Sequence, residues 1–257
     1  MRALVTGGAR RIGRAIALYL AGRGFDVAVH YATSDRDAEQ TVAEIAALGR
    51  RAVALQADLL DEGHLAALVP AAALALGGPL TLLVNNASIF EHDTIVSATR
   101  TSWDRAFGSN LRAPFVLTQA FAAQARRAVT VDGEPVAQGL IVNMIDQRVL
   151  KPTPEFMTYS LAKAGLHALT RTTAQALAPH VRVNGIGPGP TVKGTRQSDS
   201  HFARQRAATI LQRGAGPADV CRTIGFFLDS PAVTGQMIAV DGGQHLAWAT
   251  PDVLGLE

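Results

Sequence analysis

The chain is expected to fold as α/β, with a doubly wound parallel sheet of about seven strands in a single domain over residues 1–257. Two observations predict this. Short β-branched apolar runs alternate with longer amphipathic stretches, and no repeat or low-complexity linker divides the chain. With 257 residues, 48% of them hydrophobic, there is enough apolar surface for one large core.

Residues 2–6 read as the first strand. The turn Thr6-Gly-Gly-Ala-Arg-Arg-Ile-Gly13 follows and runs into a helical pattern from Arg14. Strand, glycine-rich turn and helix is the context that a dinucleotide site needs. Gly7 permits a tight turn, Gly13 permits close packing, and the helix N-terminus offers free N–H groups to a pyrophosphate. Arg11 and Ile12 lie inside this turn. Residues 25–31 form the second strand, which ends in His30 and Tyr31 and is followed by Ala32, Thr33 and Ser34. An NAD site expects an acid there, on the ribose hydroxyls. The first carboxylate is Asp35, read as a cap of the next helix. Hydroxyls and a histidine, with Arg10, Arg11 and Arg36 nearby, suit a 2′-phosphate, so NADP(H) is expected over NAD(H). Arg36 reads equally well as a solvated helix residue.

A helix over 35–48, a strand over 51–56 and a helix over 61–76 come next, with Asp58 and Leu59 just past the strand. Residues 80–85 form a buried strand. Asn85, Asn86, Ala87, Ser88 and Phe90 follow at its carboxyl edge, where ligands gather in such sheets. Residues 101–124 read as one long helix or two abutting ones, with Asn110 in the middle and a kink at Pro114. Residues 126–139 are expected to be a surface excursion.

The run 140–145 is a further buried strand with Asp146 at its end. After Pro152 and Pro154 a helix runs to Pro179 and carries Tyr159 and Lys163, four apart and on one face. A cation beside a phenol favours phenolate, lowers its pKa and readies it to pass a proton near neutral pH. The same spacing also arises when a half-buried ring merely lies under an aliphatic stem. A strand over 181–186, the bend Gly187-Pro188-Gly189-Pro190, a polar lid over 191–201, helices over 202–213 and 217–229, and a strand over 235–240 complete the chain. The segment 248–257 is apolar for a terminus and is expected to dock on a neighbouring subunit.

With 24 basic and 21 acidic residues the net charge is +3, which favours anionic ligands without the basic clustering that nucleic acid requires. The single cysteine, Cys221, excludes a disulfide framework and a cysteine-based metal site, and no metal is expected. The first strand begins a few residues after Met1, leaving no room for a signal peptide. No apolar run is long enough to span a bilayer, so a soluble cytoplasmic protein is expected.

Thr6-Gly…Gly13, Asp58, Asn85-Asn-Ala87, Asn110, Tyr159-x-x-x-Lys163 and Pro188-Gly189 occur in this order along nearly the whole chain. In this the sequence resembles the short-chain dehydrogenase/reductase family. The resemblance implies a Rossmann fold and a homotetramer built on the helices that contain Asn110 and Tyr159. It implies that Tyr159 donates the proton and that Lys163 holds the nicotinamide ribose and lowers the Tyr159 pKa. Asn110 would hold a relay water, and Thr191, just after Pro188 and Gly189, would bind the nicotinamide amide. One position departs: Asp146 stands where the family's substrate-binding serine is expected. An ionised carboxylate cannot donate a hydrogen bond and would repel a developing alkoxide. An acid paired with a phenol suits C=N reduction instead, where the product nitrogen takes a proton. Asp146 could alternatively cap a loop while Ser160 or another donor substitutes.

Arg10-Arg-Ile-Gly13, His30-Tyr31, Asn85-Asn-Ala-Ser88 with Phe90, Asn143-Met-Ile-Asp146 and Val183-Asn-Gly-Ile-Gly-Pro-Gly189 look like the pteridine reductase and dihydromonapterin reductase branch. That narrower resemblance implies an NADPH-dependent reduction of a dihydropterin, with Asp146, Tyr159 and Lys163 as the catalytic set. The pterin would stack on Phe90, and Ser88 and Arg11 would touch pterin or cofactor phosphates. Phe90 reads otherwise as a core or lid residue. Thr33 stands where many pteridine reductases carry a basic residue. The alternatives are a carbonyl, sugar or 3-oxoacyl reductase of the same family, or a non-catalytic NADP-binding regulator.

Overall fold

A computed structural model describes residues 1–194 and 197–248. Its centre is a parallel sheet with seven strands among the described residues, in the order β3-β2-β1-β4-β7-β8-β9. The strands are β1 (Arg2–Val5), β2 (Asp26–Tyr31), β3 (Ala52–Gln56), β4 (Leu82–Asn85), β7 (Gly139–Met144), β8 (Val181–Pro188) and β9 (Met237–Val240). The inner strands are buried on both faces, which is why β4 and β7 read as unbroken apolar runs rather than alternating ones.

Helices cover both faces. On one side α1 (Arg11–Gly22), α2 (Asp35–Ala47) and α8 (Pro217–Asp229) bury Ile16, Leu20, Ile45 and Phe227. On the other, α3 (Glu62–Ala75), α5 (Ala113–Gln124) and α6 (Met157–Leu177) bury Leu65, Leu68, Phe121 and Ala174. Phe121 and Phe227 are fully buried, one on each side. Each contributes about 1.5–3 kcal/mol of burial. Strand order reverses between β1 and β4, opening a crevice at the carboxyl ends of the strands.

One expectation stands with added detail and three are corrected. The excursion over 126–139 contains an antiparallel hairpin, β5 (Val129–Val131) with β6 (Glu134–Val136). Its Asp132-Gly133 turn takes positive φ at both residues, the geometry of a tight two-residue hairpin loop. Second, the long helical stretch is not kinked at Pro114. It runs α4 (Arg100–Phe107), one π turn (Gly108–Arg112), then α5, whose first turn accommodates the proline. Third, Ser34 occupies the N-cap of α2 and Asp35 is already helical. Last, the helix expected over 202–213 is α7 (Asp199–Ala207), which starts inside the expected lid with Ser198 capping it. Lid residues 195 and 196 and tail residues 249–257 lie outside the described residues. No helix among the described residues is long and apolar enough to cross a membrane.

Candidate active site

The glycine turn is held from below. Gly7 has φ +60°, and a Cβ on Gly13 would fall 2.0 Å from the Gly7 carbonyl oxygen, so neither position tolerates a side chain without backbone movement. The Gly7 N–H donates to His30 Nδ1 at 3.0 Å, and the Gly8 N–H to the His30 carbonyl at 2.9 Å. His30 Nε2 lies 3.1 Å from the Ala57 carbonyl, so that nitrogen carries the proton. Burial pushes the His30 pKa down to about 4, against the pull of the Ala57 carbonyl and Asp58. The imidazole is therefore neutral and acts as a strut under the turn. It is not presented to a 2′-phosphate, as the sequence suggested.

Asn86 closes the same turn from β4. Its Nδ2 donates to the Thr6 and Gly7 carbonyls at 2.8 and 3.2 Å, and the Ala87 N–H donates to Thr6 Oγ1. Thr33 is exposed and Ser34 half-buried at the start of α2, with Tyr31 half-buried beside the core. Arg10 lies 3.5 Å from Asp37. Asp58 is exposed, and its Oδ1 accepts from the Leu60 N–H; Leu59 is buried. Ile12 packs on the core, while exposed Arg11 takes φ +52° and donates to the Val192 carbonyl at 3.1 Å. That bond ties the turn to the lid.

Asp146, Tyr159 and Lys163 meet at the end of β7. The Asp146 side chain caps the 3₁₀ turn Gln147–Val149, accepting from the Arg148 N–H at 2.9 Å on Oδ1. Its other oxygen, Oδ2, accepts from the Tyr159 hydroxyl at 2.8 Å. Lys163 is buried, and its ammonium donates to the Met144 carbonyl at 2.7 Å. The expectation that Lys163 lowers the Tyr159 pKa is corrected. Burial, then the charge of Asp146 and the hydrogen bond to it, push Tyr159 well above its ordinary value, against Arg148 and Ser88. Burial raises Asp146 as well, opposed by the Arg148 N–H, Tyr159 and the charges of Arg148 and Lys163. Burial draws Lys163 down to about 8, with Asp146 pulling back. Desolvation is the largest influence on each member of this cluster, and it moves the carboxyl and the phenol toward their protonated forms.

Two anchors aim the cluster. Asn110, fully buried in the π turn, donates to the Ile89 and Ala106 carbonyls at 2.9 and 3.0 Å and accepts from Ser88 Oγ at 2.7 Å. Both of its amide hydrogens are committed, so any water it holds must use its oxygens. Asp93, which the sequence did not single out, fixes the start of α6. It accepts from the Thr158 N–H at 3.1 Å and from Thr158 Oγ1 at 2.7 Å, one residue before Tyr159.

Phe90 stands at the cleft mouth with 44% of its surface exposed. Its ring stacks on Phe156 at 4.2 Å and 7°, and makes a T-shaped contact with Tyr159 at 4.7 Å. Phe156 holds a left-handed backbone, φ +57°, just before α6. Nothing in the sequence flags Phe156, because bulky residues rarely adopt that conformation. On the far side, Gly189 packs so tightly on Asp241 that a Cβ would approach to 2.6 Å. Pro188 ends β8, and Thr191 Oγ1 donates to the Gly189 carbonyl at 3.1 Å. Arg206 of α7 donates to the carbonyls of Pro190, Gly214 and Ala215 and so binds the lid helix to this bend.

A sheet reversing beside a closed glycine turn, with Tyr159 and Lys163 at the crevice, defines a nucleotide-dependent oxidoreductase architecture. Residues 1–204 match the profile of the short chain dehydrogenase family, and the chain belongs to that family. Among solved structures it is similar to FolM alternative dihydrofolate reductase 1 from Brucella suis in complex with NADP. That similarity has 45% identity and a TM-score of 0.90, covering 98% of each chain. The Brucella canis protein of the same name, also complexed with NADP, is 43% identical with a TM-score of 0.88, over 99% of this chain and 98% of that one. The 3-oxoacyl-[acyl-carrier-protein] reductase FabG of Staphylococcus aureus is 33% identical over 249 residues, 95% of this chain and 98% of that protein.

Proposed function

We propose that this chain is an NADPH-dependent reductase of a pterin-like C=N bond, taking a dihydropterin to the tetrahydropterin. The observation that carries the reading is the 2.8 Å hydrogen bond from the Tyr159 hydroxyl to Asp146 Oδ2, which pairs the phenol with a buried acid able to protonate a ring nitrogen. The Brucella neighbours, named as alternative dihydrofolate reductases with NADP bound, support it.

The residues present fit the cofactor. The turn at Gly7 and Gly13 leaves no room for a Cβ, and it opens the N-terminus of α1 to a pyrophosphate beside Arg11 and Ile12. Thr33 and Ser34 would take the 2′-phosphate. Asp58, Leu59, Asn86, Ala87 and Ser88 would line the crevice, with Tyr159 and Lys163 at the ribose and Pro188, Gly189 and Thr191 at the nicotinamide. When bound, NADPH supplies hydride to the carbon of the C=N bond.

The chain's own residues supply the proton. Asp146, held above the usual carboxylate range by burial, keeps a proton that it can give to the ring nitrogen. Tyr159 orients that acid and returns the proton through Ser88 and a water held on an Asn110 oxygen. Lys163 holds the ribose and balances the charge left on Asp146. Phe90 supplies the face on which the heterocycle stacks. A cytoplasmic location belongs to the same reading. So does a homotetramer packed through α4, α5 and α6, where Phe107, Leu111, Phe115 and Leu169 line an apolar surface cavity of about 430 Å³.

The test is NADPH oxidation with dihydrobiopterin or dihydromonapterin, alongside simple ketones, as pH is varied. Turnover of the pterin should fall as pH rises through the Asp146 ionisation, and Asp146→Ala should remove both turnover and that slope. Ketone reduction that survives Asp146→Ala, with no pterin turnover, would favour a carbonyl or 3-oxoacyl reductase, the activity named for the Staphylococcus aureus relative.

A further inference from the structure

The cleft wall beside Asp146 carries a cation whose charge favours the ionised forms of Asp146 and Tyr159 but which forms no ion pair among the described residues. Arg148 lies in the 3₁₀ turn that Asp146 caps, and its main-chain N–H is bound by that carboxylate. Its guanidinium lies along the aromatic pair, 4.9 Å from the Phe156 centroid and 5.8 Å from that of Phe90. Thr153 Oγ1 accepts one hydrogen bond from it at 2.8 Å.

A guanidinium offers five N–H donors in a planar fork. Among the described residues no carboxylate lies within ion-pair distance of this one. Asp146 takes the Arg148 main-chain N–H and feels its charge without pairing with the guanidinium, while Glu91 is engaged with Arg105 and Glu155 with His92. Arg100 and Arg112, by contrast, each have an acidic partner. Arg148 is also half-buried. Ring faces attract a guanidinium but return only part of its lost hydration. A cation so placed, beside the rings that would hold a flat substrate, matches an anion brought by that substrate.

We propose that Arg148 is a specificity-determining residue that receives a carboxylate carried by the substrate. The site then prefers a pterin with an acidic side chain over one with a neutral side chain. This rests on the pterin reading above. The planar fork suits a carboxylate through two parallel hydrogen bonds, and the stacked rings fix the heterocycle from which the side chain extends.

The experiment compares dihydrofolate, whose glutamate carries the carboxylates, with dihydrobiopterin, whose side chain is neutral. Each is assayed with the wild-type protein, Arg148→Gln and Arg148→Lys. Arg148→Gln should raise KM for dihydrofolate about 10–100-fold while KM for dihydrobiopterin stays within about twofold. Arg148→Lys should fall between, since it keeps the charge and loses the fork. Any change in kcat should be common to both substrates. Added salt should narrow the wild-type preference and leave Arg148→Gln unmoved. Equal KM changes for the two substrates, or an unchanged dihydrofolate KM in Arg148→Gln, would overturn the assignment. Failure of wild type to turn over either pterin would sink the pterin reading instead. Fluorescence titration of the NADP⁺-loaded protein with folate and with biopterin then judges Arg148 separately. Weakened folate binding alone in Arg148→Gln supports it, and unweakened folate binding refutes it.

Discussion

The two sides of the crevice are built on different principles. The glycine turn is a closed lattice in which the Gly7 N–H, the Gly7 and Thr6 carbonyls, His30 and Asn86 all satisfy one another. Its one titratable member is kept neutral by burial. The wall formed by β7, α6 and the loop after β4 is assembled from groups whose protonation is the point: an acid, a phenol and an ammonium, all displaced from their ordinary pKa values. The contrast separates a part that must keep its shape from a part that must exchange protons. It also sets the two halves against each other in pH, since acid weakens the turn while alkali discharges the wall.

The largest expected effect tests the wall. Tyr159→Phe should cut pterin turnover by about 10²–10⁴ while NADPH affinity, measured by fluorescence, changes little. Loss of cofactor binding of the same size would mean that the two halves are not separable.

Next in size is the acid side of stability, which belongs to the turn. The His30 pKa is 6.5 when exposed and about 4 in the fold, so unfolding takes up a proton between those values. Stability is full above pH 6.5 and is lost as pH falls toward 4, by up to about 3 kcal/mol at roughly 1.4 kcal/mol per tenfold. Denaturant titrations of wild type and His30→Asn at several pH values read this directly. A variant with the same slope over that window would relocate the proton uptake to another group.

The smallest effect sharpens the comparison from the shape side. Gly13→Ala places a methyl against the Gly7 carbonyl. It should cost about 1–3 kcal/mol of stability and weaken NADPH binding, yet leave the pH profile of residual turnover unmoved. A shifted profile would mean that the turn also tunes the wall.

What could be read in advance follows the same division. Gly7, Gly13, Tyr159 and Lys163 were legible because their roles depend on local backbone geometry and a fixed helical spacing. The parallel sheet and the ligand edge at the carboxyl ends of its strands followed from the alternation of apolar runs with helices, whereas the strand order emerged only in the fold. His30 was legible as a site residue but not as a strut, because its partners, Gly7 and Ala57, approach only in the folded sheet. The direction of the Tyr159 shift was misjudged for a related reason. Spacing says that Lys163 shares a face with Tyr159, but not that its ammonium turns to Met144 while the phenol turns to Asp146. Asp93 comes from the loop after β4, and Arg148 and Phe156 from the connection between β7 and α6, and no spacing rule links them. The β5–β6 hairpin did carry a signal in Asp132-Gly133, obscured by the polar residues and proline around it.

The π turn around Asn110 takes up slack within one rod. Each residue in a regular helix advances the side chains by about 100°, and one wide turn holds a surplus residue without passing that rotation on to α5. Deleting Ser109 would let the rod wind as a continuous α-helix, with Leu117 and Phe121 still facing the core they now fill. An insertion in the same turn would find the slack already used and would carry every side chain of α5 around the axis. Length in this segment is therefore constrained in one direction, much as a frame tolerates one shift and not its opposite.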